Sequence, residues 1–191
     1  MTAIQPAEKL YLSGPETAKL VRVALKREFP GVKFSVRSDH DSIDVRWTDG
    51  PTTALVNPVV KAYEGGGFDG SIDLAYTCES WLEPGGTVAP AYSAGTEGSR
   101  GADPGYAYAP PSPDAQLVQF GAKYIFTERE NGREALEDAV EAVCAKWGIE
   151  DRPVIVDGKF GGIYLGNDTL VPNANDYSTR LVYRWAQEKA R

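Results

Sequence analysis

The sequence is poor in the residues that usually build metal centres and disulfide frameworks. It contains one histidine, His40, and two cysteines, Cys78 and Cys144, which lie far apart along the chain. A structural zinc site takes about four histidine or cysteine ligands, so none is expected. Two distant cysteines in a chain without a secretory signal predict buried thiols. Neither glycine run, 65–67 or 85–86, has the lysine and hydroxyl residue of a phosphate loop, so no cofactor is expected.

Long apolar runs and an excess of basic residues are also missing. No stretch approaches the ~20 consecutive apolar residues of a membrane helix. The first residues, MTAIQPAEKLYLSG, lack the basic and apolar regions of a secretory signal, so we expect a cytoplasmic protein. The formal net charge of −7 argues against nonspecific binding of nucleic acid, which needs a basic face. Such acidity keeps a protein soluble or meets a basic partner.

A β-hairpin is predicted between residues 33 and 50. Apolar residues alternate with polar ones on both sides of the short polar run SDHDS, which is typical of two strands with one buried face. The predicted buried residues are Phe34, Val36, Ile43, Val45 and Trp47. The open face of the hairpin then carries Arg37, Asp44 and Arg46.

Helical spacing of apolar residues predicts about four helices. They cover residues 14–28, 49–63, 132–147 and a last segment that begins at Asn175 or Asp176. Further strands are predicted at 122–129 and, as a second hairpin around the turn 157–161, at 153–165. Hairpins next to helices favour an α+β fold, with a mostly antiparallel sheet built from hairpins and the helices packed on it.

Residues 80–118 form a long connection rich in glycine and proline. Connections of this length are uncommon inside a compact domain and are usually functional or mobile. Its aromatic residues, among them Trp81, Tyr92, Tyr106 and Tyr108, are unlike a disordered linker. We therefore expect a partly ordered excursion over the core of a single domain of residues 1–191, with a hairpin near 81–92.

The residues that could carry chemistry do not form a recognisable catalytic set. His40 stands between Asp39 and Asp41, as a base or ligand would, but the same pattern describes a solvated turn. Asp69 and Asp73 could act as an acid–base pair or cap their own backbone, and capping is favoured. Cys144 lies on the apolar stripe of a helix, whereas the role of Cys78 stays open. No catalytic residue and no metal ligand is assigned.

Three arginines could together form an anion or partner site. Arg37, Arg46 and Arg129 are expected to share the exposed face of the sheet, although exposed arginines often only solvate a surface. Arg37 ends the segment KFSVR and Arg129 ends the similar segment KYIFTER.

Several segments together resemble a known family, the large polyvalent protein associated domain 29. They are the run ETAKLVRVALKREFPGVKFSVRS, then IDVRWTDGPT and FDGSIDL within residues 16–73, and the later strand YIFTER. The likeness covers about two thirds of the chain. It predicts an α-β-β-α module over 14–129 and leaves 130–191 as a helix–hairpin–helix extension. Pro58 inside a helix and the short turn SDHDS depart from the family pattern.

The resemblance implies an accessory protein of a phage or conjugative element that binds a host or element protein. Such modules are associated with protecting, establishing or regulating incoming DNA, or with countering host defences. The expected binding residues are Arg37, Asp44, Arg46, Phe68, Asp69, Asp73 and Arg129. Two alternatives remain open. One is an enzyme that uses Asp69, Asp73, Cys78 or His40 on a nucleotide-like substrate, and the other is a single-stranded nucleic-acid-binding module. The sequence does not indicate an oligomeric state.

Overall fold

A computed structural model describes residues 8–96, 107–159 and 162–189. Within these ranges four α-helices and thirteen β-strands confirm the predicted α+β fold. The helices are α1 (Gly14–Glu28), α2 (Thr53–Lys61), α3 (Arg133–Trp147) and α4 (Ser178–Glu188). The strands are β1 (Leu10–Leu12), β2 (Ser35–Asp39), β3 (Ser42–Thr48), β4 (Gly66–Asp69), β5 (Leu74–Thr77), β6 (Ser80–Leu82), β7 (Val88–Pro90), β8 (Gln116–Phe120), β9 (Tyr124–Glu130), β10 (Val154–Asp157), β11 (Ile163–Gly166), β12 (Leu170–Val171) and β13 (Asp176–Tyr177).

The chain divides into two compact units. The N-terminal unit comprises Met1–Arg46 and Ala54–Glu128, and the C-terminal unit comprises Trp47–Thr53 and Arg129–Arg191. The chain passes from one unit to the other three times, within β3, at the start of α2 and within β9. The predicted boundary between a 14–129 module and a 130–191 extension stays a prediction.

Helix α1 begins where the sequence predicts. The backbone N–H of Ser13 donates to the Glu16 carboxylate at 2.9 Å, and Pro15 occupies the first turn, where its missing N–H costs nothing. Val21 and Leu25 on its apolar stripe are fully buried. This helix packs on β2 and covers the inner face of the hairpin.

The predicted hairpin is present as β2 and β3, and β9 joins it to make a three-stranded sheet in the order β2-β3-β9. Just before the two strands begin, the Asp41 carbonyl accepts the Lys123 N–H at 2.6 Å. Further along, Arg46 on β3 forms an ion pair with Glu128 on β9. Residue numbers rise together on both strands, so β9 runs parallel to β3. Ile43 and Val45 are fully buried on the inner face.

A second sheet of the N-terminal unit has the order β1-β8-β6-β7. Its β6–β7 pair is the hairpin predicted near 81–92. The arm before helix α1 contains β1, which pairs in parallel with β8. Residues 66–77 form the β4–β5 hairpin. Tyr106 of the excursion lies outside the described residues.

The C-terminal unit is built on the packing of α3 against α4. Its core contains Leu136, Val143 and Val182, and the β10–β11 hairpin packs Ile155 and Leu165 against it. This hairpin was predicted at 153–165, and part of its turn at 157–161 lies outside the described ranges.

Helix α4 starts later than the predicted cap at Asn175 or Asp176. Asp176 instead holds Arg180 at 3.0 Å and Arg184 at 2.6 Å. The first turn of α4 receives its acceptor from Asp168, whose carboxylate takes the Thr179 N–H at 3.0 Å. A capping group from the loop between β11 and β12 satisfies the helix as well as a local one does.

Candidate functional site

The outer face of the three-stranded sheet displays large polar and aromatic side chains together. We call it the outer sheet face and define it by Arg37, Asp44, Arg46, Tyr124 and Phe126. Side chains alternate across a strand, so the buried positions on β3 and β9 turn these neighbours outward. Arg37, Arg46, Tyr124 and Phe126 are exposed, and Asp44 is half-buried.

Charge on the outer sheet face is balanced. In the register of β2 and β3, Arg37 lies opposite Asp44 and Arg46 lies opposite Ser35. The Arg46 guanidinium also lies 3.1 Å from the Glu128 carboxylate. A depression of about 200 Å³ is lined by Ser35, Arg37, Asp44 and Arg46. The alternation in the sequence correctly placed the last three of these residues on one face.

An aromatic pair extends the same face. The rings of Tyr124 and Phe126 are 6.3 Å apart and inclined by 29°. The two side chains are 42% and 56% exposed, which is a large apolar surface to leave in water. The sequence did not reveal this pair, because the consecutive residues Tyr124, Ile125 and Phe126 are all apolar and leave open which face of β9 is buried.

Arg129 does not lie on an exposed face, and that expectation is wrong. Arg129 belongs to the C-terminal unit and is only 4% exposed. The guanidinium donates hydrogen bonds to the carbonyls of Ala186 at 2.7 Å and Lys189 at 3.0 Å, at the end of α4. It is also 3.3 Å from the Asp49 carbonyl. Arg129 shares the phase of the buried Ile125 on β9 and therefore points inward.

The remaining predicted binding residues lie on the β4–β5 hairpin. Phe68 is 59% exposed, and the neighbouring Ile72 and Leu74 are exposed as well. Asp69 accepts the backbone N–H of Ser71 at 2.8 Å, which is the turn-capping contact that was favoured for it. Asp73 has a positive φ of 53°, as aspartate tolerates in a tight turn. The hairpin thus presents an apolar tip, not a pair of carboxylates arranged for catalysis.

The glycine run before this hairpin allows close backbone approaches. A Cβ on Gly65 would lie 1.8 Å from the Phe120 carbonyl oxygen, and one on Gly67 would lie 2.3 Å from the Tyr76 ring. The Gly65 N–H donates to the Ala122 carbonyl at 2.8 Å. Glycine is required at position 65, because any Cβ there would collide with the backbone of the neighbouring segment.

A cleft of about 660 Å³ opens elsewhere in the N-terminal unit, and we call it the tyrosine cleft. Its lining includes Tyr76, Cys78, Tyr92 and Tyr108. Burial raises the pKa of the Cys78 thiol, and the nearby Glu64 carboxylate raises it further. Cys78 is therefore a protonated, weak nucleophile at neutral pH.

The groups proposed for an enzyme are not assembled at this cleft. Of His40, Asp69, Asp73 and Cys78, only Cys78 is among its lining residues. The His40 side chain is 92% exposed in the turn between β2 and β3, where its Nδ1 lies 2.7 Å from Asp39. Its φ of 46° fits a turn residue held by backbone geometry.

Within residues 8–96, 107–159 and 162–189, no group of three or more histidine, cysteine, aspartate or glutamate side chains is placed to hold a metal ion. In that part of the chain, no helix combines the length and apolar character needed to cross a membrane.

A comparison with protein families identifies the chain's relatives. The family model described as large polyvalent protein associated domain 29 fits residues 12–132, which is more than half of the chain. This finding confirms the resemblance carried by residues 16–73 and by the YIFTER strand. No curated protein and no solved structure matches the chain.

Proposed function

We propose that this chain, which belongs to the large polyvalent protein associated domain 29 family, is a protein-binding accessory module of a phage or conjugative element. It acts by contact with a host or element protein, in a role such as countering a host defence. The outer sheet face makes the contact. The observation that supports this proposal is the exposed Tyr124–Phe126 pair beside Arg37 and Arg46 on one sheet.

These residue types suit a protein interface. Tyrosine, phenylalanine and arginine are enriched where proteins meet, and tyrosine and arginine are common among the few residues that contribute most of the affinity. The strands also hold them on a rigid backbone, anchored from below by the fully buried Ile43, Val45 and Ile125. A preorganised surface loses less conformational entropy on binding than a mobile loop does.

The charge pattern favours a protein partner over a nucleic acid. Arg37 faces Asp44, Arg46 pairs with Glu128, and Lys123 lies 3.1 Å from Asp41. Phosphate backbones are attracted by a net positive face, and this face is balanced within a chain of net charge −7. The matching partner surface has an apolar patch for the two rings and an acidic group within reach of Arg37.

A single-stranded nucleic-acid-binding module remains the second candidate. Aromatic rings and arginines on an open sheet are also the surface on which unpaired bases stack. The aromatic pair fits this alternative, whereas the balanced charge does not.

Site-specific photocrosslinking tests the two candidates. A photoreactive phenylalanine derivative replaces Phe126 in chain expressed in the host cell, and the control position is Val23, which is 60% exposed on α1 of the same unit. We expect one discrete protein adduct from position 126, lost when Arg37→Glu is added, and no such adduct from position 23. Identical adducts at both positions would contradict the proposed interface.

The same experiment separates protein from nucleic acid. Adducts from position 126 are treated in parallel with nuclease and with protease. Adducts that collapse on nuclease treatment alone would favour the nucleic-acid module, because no partner protein would then account for the mass gained.

A further inference from the structure

We infer that the tyrosine cleft binds an organic cation, meaning a quaternary ammonium, lysine ammonium or arginine guanidinium group. At about 660 Å³ the cleft lies within the range of small-ligand sites, roughly 300–1,000 Å³. None of the residues that define the outer sheet face is among its lining residues, so this inference does not rest on the proposed function.

Three tyrosines reach the cleft from separate segments. Tyr76 lies on β5, Tyr92 follows β7, and Tyr108 precedes β8. Tyr92 and Tyr108 are 42% and 44% exposed, so much ring surface stays uncovered inside a concave region. The face of an aromatic ring carries partial negative charge and attracts a cation placed within about 6 Å of its centre.

Local hydrogen bonds hold these tyrosines in place. Tyr92 bridges to Ala107, and the Tyr108 N–H donates to the Ala91 carbonyl at 2.9 Å. The Tyr108 carbonyl in turn accepts the Trp81 indole N–H at 3.0 Å. The Tyr76 ring lies against Gly67, where a Cβ would come within 2.3 Å of it. The backbone segments that carry Tyr92 and Tyr108 are therefore held in place before a ligand arrives.

The charges of the cleft select a cation over an anion. Its lining contains the carboxylates of Glu64 and Glu79 and one ammonium group, that of Lys61. The two carboxylate side chains are only 19% and 22% exposed. Their lysine partners, Lys61 at 2.6 Å and Lys9 at 2.7 Å, are more than 40% exposed. A bound cation would compete with these exposed amines for the two carboxylates, whereas a phosphate would meet both carboxylates.

The cleft offers its own reporter in Cys78. The thiol lines the cleft, so a bound ligand should shield it from alkylation, whereas Cys144 is buried in the C-terminal unit. Full-length chain is treated with iodoacetamide at mildly alkaline pH, and mass spectrometry follows each cysteine separately. The probes are choline and its uncharged carbon isostere, 3,3-dimethylbutan-1-ol.

We expect choline to slow alkylation of Cys78 at least fivefold in a saturable manner, with no effect of the isostere. Equal protection by the two probes would overturn the inference, because the cleft would then accept any apolar group of that shape. Separate arms with the N-acetyl amides of lysine and arginine show whether the cation comes from a free molecule or from a peptide side chain. Absence of protection by choline and by both amides would also overturn the inference.

Variants connect the protection to the rings. Tyr92→Leu should abolish protection by the cation and Tyr92→Phe should retain it, since phenylalanine keeps the aromatic face. Tyr108→Leu gives a second test if Tyr92→Leu lowers the melting temperature. Tyr164→Leu removes a tyrosine that is 51% exposed in the C-terminal unit and should leave protection unchanged. Protection that survives both leucine variants in the cleft would contradict a role for the rings.

Discussion

Arg37 and Arg129 end two similar segments, KFSVR and KYIFTER, yet one side chain is exposed and the other is buried. In the first segment Val36 is buried and Arg37, its neighbour, points outward. In the second segment Ile125 is buried, so Arg129, four positions later, points inward as well. Arginine therefore lies on an exposed surface in the N-terminal unit, whereas in the C-terminal unit it is buried and stabilises the fold.

The difference has an energetic consequence. The Arg129 guanidinium satisfies carbonyls at the end of α4, and these would lose their partner if it were removed. Arg37 is solvated, and its removal leaves no buried group unpaired. Measuring stability and binding on the same variants can thus distinguish the two kinds of position. One kind stabilises the fold, and the other is available to a partner.

The largest effect is expected from Arg129→Ala. Loss of a buried charged donor to the carbonyls of Ala186 and Lys189 should lower the free energy of unfolding by about 3 kcal/mol. Urea denaturation followed by circular dichroism measures this change. Arg37→Ala serves as the matched control. Equal losses of unfolding free energy in the two variants would contradict the distinction between a buried, stabilising Arg129 and an exposed Arg37.

A smaller effect is expected from acid in the C-terminal unit. A hydrogen bond from the Thr179 backbone N–H lowers the pKa of Asp168, and one from the Tyr177 backbone N–H lowers the pKa of Asp176. Carboxylates with a lowered folded pKa stabilise the fold at pH values above their ordinary pKa. This stabilisation is lost as the pH falls through the folded value, which here lies in the acid range below about pH 4.

Hydrogen exchange of α4 amides across that acid range tests this expectation. Asp168→Asn should make the protection of α4 less dependent on pH, because the titrating group at its first turn is gone. Glu16→Gln provides the control in the N-terminal unit, where Ser13 lowers the pKa of Glu16 by hydrogen bonding. An α4 response to acid that is unchanged in Asp168→Asn would count against the capping role of Asp168.

The smallest effect on stability is expected from the outer sheet face. Phe126→Ala and Arg37→Ala should each change the free energy of unfolding by no more than about 0.5 kcal/mol, since both side chains are exposed. Thermal unfolding followed by calorimetry checks this. A loss above about 2 kcal/mol would identify these residues as part of the fold.

Local signals in the sequence predicted much of the fold. Capping and apolar periodicity located α1 and α3, and alternation located the β2–β3 and β10–β11 hairpins. The sequence did not predict pairings between distant segments, such as that of β1 with β8. Strand β1 has only three residues, which is too short a pattern to indicate the strand with which it pairs. The Asp168 contact to α4 escaped for the same reason.

The candidate site was predicted in part. Arg37, Asp44 and Arg46 follow directly from the alternation of the first hairpin. The sequence does not show which face of β9 is buried. Tyr124, Ile125 and Phe126 are three consecutive apolar residues, so burying either face buries at least one of them. Only packing decides that Ile125 is inside, and this choice exposes the aromatic pair and buries Arg129.

The affinity of Phe126→Ala for the protein captured at position 126 tests the central claim most directly. Isothermal titration calorimetry compares it with the unmodified chain and with Val23→Ala, a control that is exposed on α1. We predict at least a tenfold loss of affinity for Phe126→Ala, about 1.4 kcal/mol, with an unchanged melting temperature and no loss for Val23→Ala. Unchanged affinity of a folded Phe126→Ala chain would contradict the assignment of the outer sheet face as the partner surface.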